Sequence, residues 1–421
     1  MNKKSNAIRS VFFNVSSNIL SQIIVVAFIP VLARLYKPED FGIATLFLGI
    51  ASCLVAISSL RISVTIPIAD SVNEKSIGIF ISFTLISLLA LFLSFLVNFF
   101  EMFNSGALEG LGLIFVIYVY ITAINNVLTN TVISNGNYPY IGGAKVSSSI
   151  FLNIARLLMV YFSAADGLIY SLLVAECFGF LILWLGAKDN IIKSFKVFVI
   201  DKVQFRQFLV KYKDYPKYQV LSQFILISSQ YAPVFIMSSM FAANEVGLFV
   251  MANNLVNMPV NSIGIALSQI YLGEYRKEKN RGKIFKHSLQ MVFFFLVLSI
   301  PFVVLFVFFG HSLINILLGE QWAGISSIIT LLIVLGTVKL CMSVISQSLN
   351  IFRAQKLQLG INLIFFISSY LSLGLSVFLG CDFHNTVLIY TLAGTTALLL
   401  GVFIILLNIR VNTKNEDCIS R

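Results

Sequence analysis

Twelve separate runs of mostly apolar residues punctuate this chain, and each is long enough to matter. About 20 such residues in a helix cross the ~30 Å hydrocarbon core of a bilayer. The first six runs are residues 12–33, 41–69, 77–100, 110–132, 145–164 and 168–187. The second six are 218–240, 246–272, 287–310, 325–350, 357–379 and 385–408. Composition closes off a soluble fold: 58% of the 421 residues are hydrophobic and 11% charged, against a usual charged share of about 25%. The expected fold class is all-α, a polytopic membrane protein with twelve transmembrane helices in two six-helix lobes around a central cavity.

The basic residues test this map independently. Excess Lys and Arg collects in short cytoplasmic loops, and alternate loops must fall on opposite sides. With both termini inside, all but five of the 29 basic residues lie in cytoplasmic segments. Arg34 and Lys37 fall outside, and Arg61, Arg156 and Lys339 lie within spans. The outward turns are short and carry Glu39, Asp40, Glu101, Glu109, Asp166, Glu245, Glu320 and Asp382. A net charge of +11 therefore reports topology, and no nucleic-acid partner is expected.

Basic residues ahead of an apolar stretch give the N-terminus the look of a signal peptide. The stretch is too long for one and carries Asn14, Asn18 and Gln22, so it reads as an uncleaved first helix. One long polar segment, residues 188–217, divides the chain. The expected organisation is an N-terminal lobe at 1–187, a basic cytoplasmic linker at 188–217, a C-terminal lobe at 218–409 and a tail at 410–421, the 6+6 layout of repeat-built transporters. Five scattered cysteines have no metal-ligand spacing, and neither a metal nor a cofactor is expected.

Polar groups within membrane helices are costly unless they meet each other, water or a cavity. Spaced at 100° per residue, Ser10, Asn14, Ser17, Asn18, Ser21 and Gln22 share a stripe in the first span, and Thr122, Asn125, Asn126 and Thr129 share one in the fourth. Gln219, Ser222, Gln223 and Gln230 do so in the seventh, and Asn253, Asn257, Asn261, Gly264 and Ser268 in the eighth. Such stripes either glue helices together or line a water-filled space. The amides, with Tyr118, Tyr138, Tyr140 and Tyr231 nearby, would suit hydroxyl-rich cargo such as sugar.

Four ionisable residues lie inside the spans. Arg156 and Glu176 stand about ten residues either side of a turn near Ala165 and Asp166, which puts them level and favours an ion pair; a cavity role for Arg156 is the alternative. Arg61 and Lys339 have no acidic residue at their depth. One cation from each half facing a shared cavity would attract an anionic group such as a diphosphate, while snorkelling or carbonyl pairing would satisfy them otherwise. The candidate substrate-binding set is Arg61, Lys339, Arg156, Asn257, Asn261, Asn18 and Gln230.

The stretch VLARLYKPEDFGIATLFLGIASCLVAISSLRISVTIPIA, residues 31–69, resembles the start of bacterial polysaccharide-export flippases of the Wzx type, within the multidrug/oligosaccharidyl-lipid/polysaccharide exporter superfamily. YPKYQVLSQFILISSQYAPVF (215–235) and NEVGLFVMANNLVNMPVNSIGIALSQIYL (244–272) look like that family's seventh and eighth helices. LLGEQW (317–322) and FRAQKLQL (352–359) are similar to its outward turn before helix 10 and inner loop after it. The resemblance implies a non-enzymatic flippase that moves undecaprenyl-diphosphate-linked oligosaccharide units, O-antigen or a similar surface polysaccharide, across the bacterial inner membrane. It implies alternating access, with polymerase and chain-length regulator of the same pathway as protein partners beside the lipid bilayer. Arg61, within SLRISV, is the position the resemblance carries over to handling of the anionic head.

Other readings remain. A drug/cation antiporter of the same superfamily typically carries a coupling carboxylate in its first helix, and none lies in 12–33. A membrane polysaccharide polymerase needs catalytic groups on a sizeable outward loop, which the short turns do not provide. A major-facilitator transporter usually has Gly, Asp and Arg after its second helix, unlike ADSVNEKS at 69–76.

Overall fold

A computed structural model describes residues 2–99, 103, 106–161, 164–197, 202–275, 281–351 and 354–419; within them, side chains are described except at 2–15, 98, 164–165, 194–197, 266, 269, 272–274, 281, 350–351, 355 and 412–419. Among the described residues 91% are helical. Fourteen α-helices follow one another among the described residues, and most match an apolar run to within a few residues. The helices are α1 (Asn2–Leu35), α2 (Pro38–Ser58), α3 (Val72–Leu96), α4 (Gly112–Asn135), α5 (Tyr138–Met159), α6 (Ala164–Val197) and α7 (Lys202–Lys211), then α8 (Val220–Met240), α9 (Ala243–Tyr275), α10 (Arg281–Leu317), α11 (Ile325–Ile345), α12 (Gln347–Ile351), α13 (Gln355–Phe378) and α14 (Phe383–Ile419).

Among the described residues ten helices are long and apolar enough to cross a membrane, which leaves the expected count of twelve unconfirmed. The two that fall short are α5 and α9, at the fifth and eighth expected spans. Lys145, Ser147, Ser148, Ser149, Asn153 and Arg156 dilute α5, and Asn253, Asn254, Asn257 and Asn261 dilute α9. Both are still long: 22 and 33 residues rise about 33 and 50 Å. Ten apolar helices make this a multi-pass membrane protein.

The second expected span, 41–69, does not run through. Helix α2 stops at Ser58, Leu60 and Arg61 adopt left-handed backbone with φ of 46° and 58°, and a 3₁₀ helix, Ile62–Ile68, follows. Two consecutive non-glycine residues in this region are uncommon and cost of order 1–3 kcal/mol each. Short bonds absorb the break: Leu60 N–H donates to the Ile57 carbonyl and Ile62 N–H to Ser59, while Ser58 Oγ donates back to the Val55 carbonyl and Thr65 Oγ1 to Ile62. Backbone groups freed inside a membrane need such partners. Ile66 is held in a core with Ile79, Val127 and Leu128, and Ile62 in another with Ile77, Ile81, Phe208 and Tyr212.

The chain forms two compact units, one of Met1–Tyr36 with Ile43–Ser228 and the other of Lys37–Gly42 with Ser229–Arg421. In the first, α5 packs between α1 and α6, and α4 lies on α6 and α3. In the second, α11 packs against α9, α10 and α14, and α13 against α14. The second unit thus includes six residues from the turn after α1. Asp40 accepts from the Lys37 N–H at 2.9 Å, as Glu245 accepts from the Ala242 N–H at 3.3 Å, so α2 and α9 open with matching acidic caps. Gly42 lies on the backbone of Ala243 and Gly247, and the Phe41 ring meets buried Trp322 edge-on at 5.6 Å.

Candidate functional site

Arg61 sits on the break itself, three residues past the end of α2. A helix of 21 residues already rises about 31 Å, the thickness of the hydrocarbon core. Arg61 therefore belongs to an interrupted backbone at the end of a span, not to the middle of a continuous helix. Its Nε is buried and, among the described residues, has no hydrogen-bond partner and forms no ion pair.

Lys339, on α11, points at α9. Its ammonium lies 3.5 Å from Asn257 Oδ1, at the long limit of a hydrogen bond, and 6.0 Å from the centre of the Phe365 ring of α13. The Asn257 amide N–H donates in turn to the Asn253 carbonyl at 2.9 Å. Lys339 and Asn257, singled out separately in the sequence, are thus brought together. Asn261, one turn beyond Asn257 and past Pro259, is exposed, as is Gln230 on α8.

The expected ion pair between Arg156 and Glu176 does not form. Helix α5 ends at Met159 and α6 begins at Ala164, so the hairpin turns earlier than the sequence suggested. Ser148 Oγ donates to the Ala175 carbonyl at 2.9 Å and Gly167 lies against Met159. In that register Arg156 is level with residues just after Gly167, and Glu176 is about eight residues, or about 12 Å, away along the axis. Glu176 Oε2 instead accepts from Asn125 Nδ2 of α4 at 2.7 Å. Arg156 keeps a buried, unpartnered Nε, while its carbonyl accepts from the Tyr36 hydroxyl at 2.6 Å.

Two polar stripes serve partly as glue. Asn18 Oδ1 accepts from Lys145 Nζ at 2.7 Å, and Ser21 meets Ser149, joining α1 to α5. Ser10 and Asn14 fall outside the described side chains. Lys145, counted among the loop charges, lies two turns inside α5; Ser147, Ser148 and Ser149 beside it were the only sign. Asn125 likewise ties α4 to α6. Among the described residues Arg61, Arg156, Lys339 and Lys145 therefore meet no carboxylate, Lys145 being held by the Asn18 amide, just as Glu176 is held by the Asn125 amide.

A second polar cluster joins the linker to the base of α3. Lys211 Nζ lies 2.7 Å from both Asp70 Oδ2 and Glu74 Oε1, and the Tyr212 hydroxyl donates to Glu74 Oε2 at 3.1 Å. Buried Phe208 and Tyr212 pack on Ile62, the residue after Arg61. The hydrogen bond to Lys211 lowers the Asp70 pKa, and Asp70 and then Glu74 raise that of Lys211. A depressed carboxylate adds stability above its ordinary range and loses it as pH falls through the lowered value. A raised amine adds stability below its ordinary value and loses it as pH rises through the raised one. The contact should hold from about pH 4 to about pH 10. Lys211→Met is expected to speed proteolytic cleavage within α7 several-fold. The ratio of variant to wild-type rates should stay flat across neutral pH and approach one only below the ordinary carboxylate range, as pH falls through the lowered values and protonated acids release the contact in both.

The family described as polysaccharide biosynthesis protein matches residues 31–327. The chain belongs to this family. The match begins at the residue where the resemblance to polysaccharide flippases begins and takes in α2, the break at Arg61 and α9. No curated protein matches the chain. Among solved structures, the lipid II flippase MurJ in an inward closed conformation has a TM-score of 0.71 at 17% identity, covering 96% of this chain and 90% of its own. An inward-facing multidrug resistance MATE family transporter of the MOP superfamily has a TM-score of 0.64 at 16% identity, covering 95% and 96%. This member of the polysaccharide biosynthesis family therefore has the fold seen in that flippase and in that transporter. Among the described residues no group of His, Cys, Asp and Glu could hold a metal ion.

Proposed function

We propose that this protein flips undecaprenyl-diphosphate-linked oligosaccharide repeat units, for O-antigen or a similar surface polysaccharide, from the cytoplasmic to the periplasmic leaflet of the bacterial inner membrane. The observation that carries the reading is the pair Arg61, on the break that ends the second span, and Lys339, within α11, one in each unit and each, among the described residues, without a carboxylate partner. Retaining an unpaired cation among apolar helices is costly, and an anionic diphosphate head supplies the missing partner. Arg156 is a third cation of this kind. Asn257 beside Lys339, Asn261 one turn further along α9, Asn18 and Gln230 supply amides suited to sugar hydroxyls.

In this reading all twelve long helices cross, α5 and α9 included, because their polar groups find partners within the helices and across α1 and α11. Both termini are cytoplasmic, and the two units alternate in giving access to either face. Polymerase and chain-length regulator would receive the product. The drug/cation antiporter reading is weaker: the first helix carries no carboxylate, and Glu176 is engaged by Asn125.

Deleting the gene is expected to abolish the surface polymer while lipid-linked repeat units accumulate in the inner leaflet, shielded from a glycosidase supplied to the periplasm. An unchanged surface polymer would sink the proposal. Accumulated units open to the periplasmic glycosidase would point to a polymerase instead.

A further inference from the structure

The linker helix α7 has two apolar faces, and only one is covered. Phe205 and Phe208 turn into the core that contains Ile62, Ile77 and Ile81. At 100° per residue Val203 and Val210 stand on the opposite side, and they are 62% and 60% exposed. Lys202 and Arg206 flank this ridge on one side and Gln207 and Lys211 on the other, forming an open groove along the helix. Lys202 and Arg206 are exposed and, among the described residues, meet no carboxylate. Lys211 is already committed to Asp70 and Glu74.

Depth says what can cover the ridge. Ile77 and Ile81 lie in the first turns of an apolar helix long enough to span, Val72–Leu96, and α7 packs directly on them. It also follows α6, whose apolar stretch ends at Lys193. A helix held at the mouth of two spans lies at the level of lipid headgroups, not free in the aqueous phase. Apolar residues on one face with cations along its edges are the pattern of an interfacial helix on an anionic bilayer.

We infer that the outer face of α7 is a binding surface for anionic phospholipid headgroups of the adjoining leaflet. Val203 and Val210 enter the headgroup layer, and Lys202 and Arg206 meet the phosphates. The surface is distinct from the candidate cargo residues and does not depend on what the protein carries. It gives the linker a ligand of its own, and because the other face of α7 grips Ile62, it places that ligand one helix away from Arg61.

The test uses the full chain in nanodiscs of phosphatidylcholine alone or of phosphatidylcholine mixed with phosphatidylglycerol, followed by hydrogen–deuterium exchange of residues 202–213. Amide protection is expected to rise several-fold in the phosphatidylglycerol discs and to fall back at high salt. The double variant Lys202→Gln, Arg206→Gln, which leaves Phe205 and Phe208 in place, should lose the difference between lipids. Equal protection of the wild type in both bilayers overturns the inference, and that comparison needs no variant to fold. So does a gain reproduced by inorganic phosphate over phosphatidylcholine discs, or one that arises only when an acidic protein is added. A gain that persists in the double variant equally rules out Lys202 and Arg206 as the contacts.

Discussion

Arg61→Ala and Lys339→Ala, made separately, are expected to leave the protein inserted at normal levels while reducing surface polysaccharide by at least an order of magnitude. Among the described residues neither side chain has an acidic partner, so its removal breaks no ion pair there. At Lys339 the loss is one long hydrogen bond to Asn257 at 3.5 Å, and truncation relieves the cost of a cation among apolar helices. At Arg61 a left-handed position is vacated by its guanidinium only, since alanine meets the same backbone demand. The cargo loses more: a charge-assisted hydrogen bond is worth about 1.5–3 kcal/mol, which is about one to two decades in affinity. Arg61→Lys and Lys339→Arg should recover part of the export, because the charge survives though its geometry does not. The decisive measurement compares polymer at the surface with protein in the membrane for all four variants. Normal export from both alanine variants would remove the charged residues from the mechanism. Loss of the protein itself would show instead that they hold the fold.

Gly247→Ala is expected to destabilise the second unit more than any other single methyl added to it. A Cβ at position 247 would overlap the backbone carbonyl of Pro38, and backbone cannot swing aside as a side-chain tip can. Overpacking of this kind costs about 1–3 kcal/mol where the surroundings yield, and the capped starts of both α2 and α9 would have to shift here. Gly42→Ala provides the scale: its Cβ would lie 3.1 Å from the Ala243 oxygen and 3.2 Å from the Gly247 nitrogen, a tight fit relieved by a few tenths of an ångström. Thermal unfolding of the purified protein should therefore rank wild type above Gly42→Ala, and Gly42→Ala above Gly247→Ala. A reversed order would mean that the two helix starts do not approach so closely.

Much of the fold was legible because a bilayer leaves few choices. Apolar length gave the helices, and the charge asymmetry put residues 69–76 and 188–217 on one side, where Lys211 indeed reaches Asp70 and Glu74. The break after Ser58 was not legible. Neither glycine nor proline stands at 59–61, Pro67 comes six residues later, and the run of Ser58, Ser59 and Ser63 looks like any small-residue face. The pairing of Arg156 with Glu176 failed on an error of a few residues in the turn, since each residue of misplacement moves both partners in opposite directions along the axis. Lys339 with Asn257 was within reach, as both lie near the middle of amide-bearing or apolar spans. Which face of α11 meets α9, however, depends on packing that no hydropathy pattern records.

The six residues Lys37–Gly42 bear on how such a chain could have arisen and how it can be divided. They precede the linker by some 150 positions yet pack with Gly247 and Trp322 as part of the second unit. Two polypeptides separated within residues 188–217 would not be self-sufficient modules. The later one would carry Trp322 without Phe41 and the start of α9 without its backbone counterpart. Only the pair expressed together could restore the missing strap, so the halves are bound to a common fate in synthesis and in evolution despite a linker that looks like a seam.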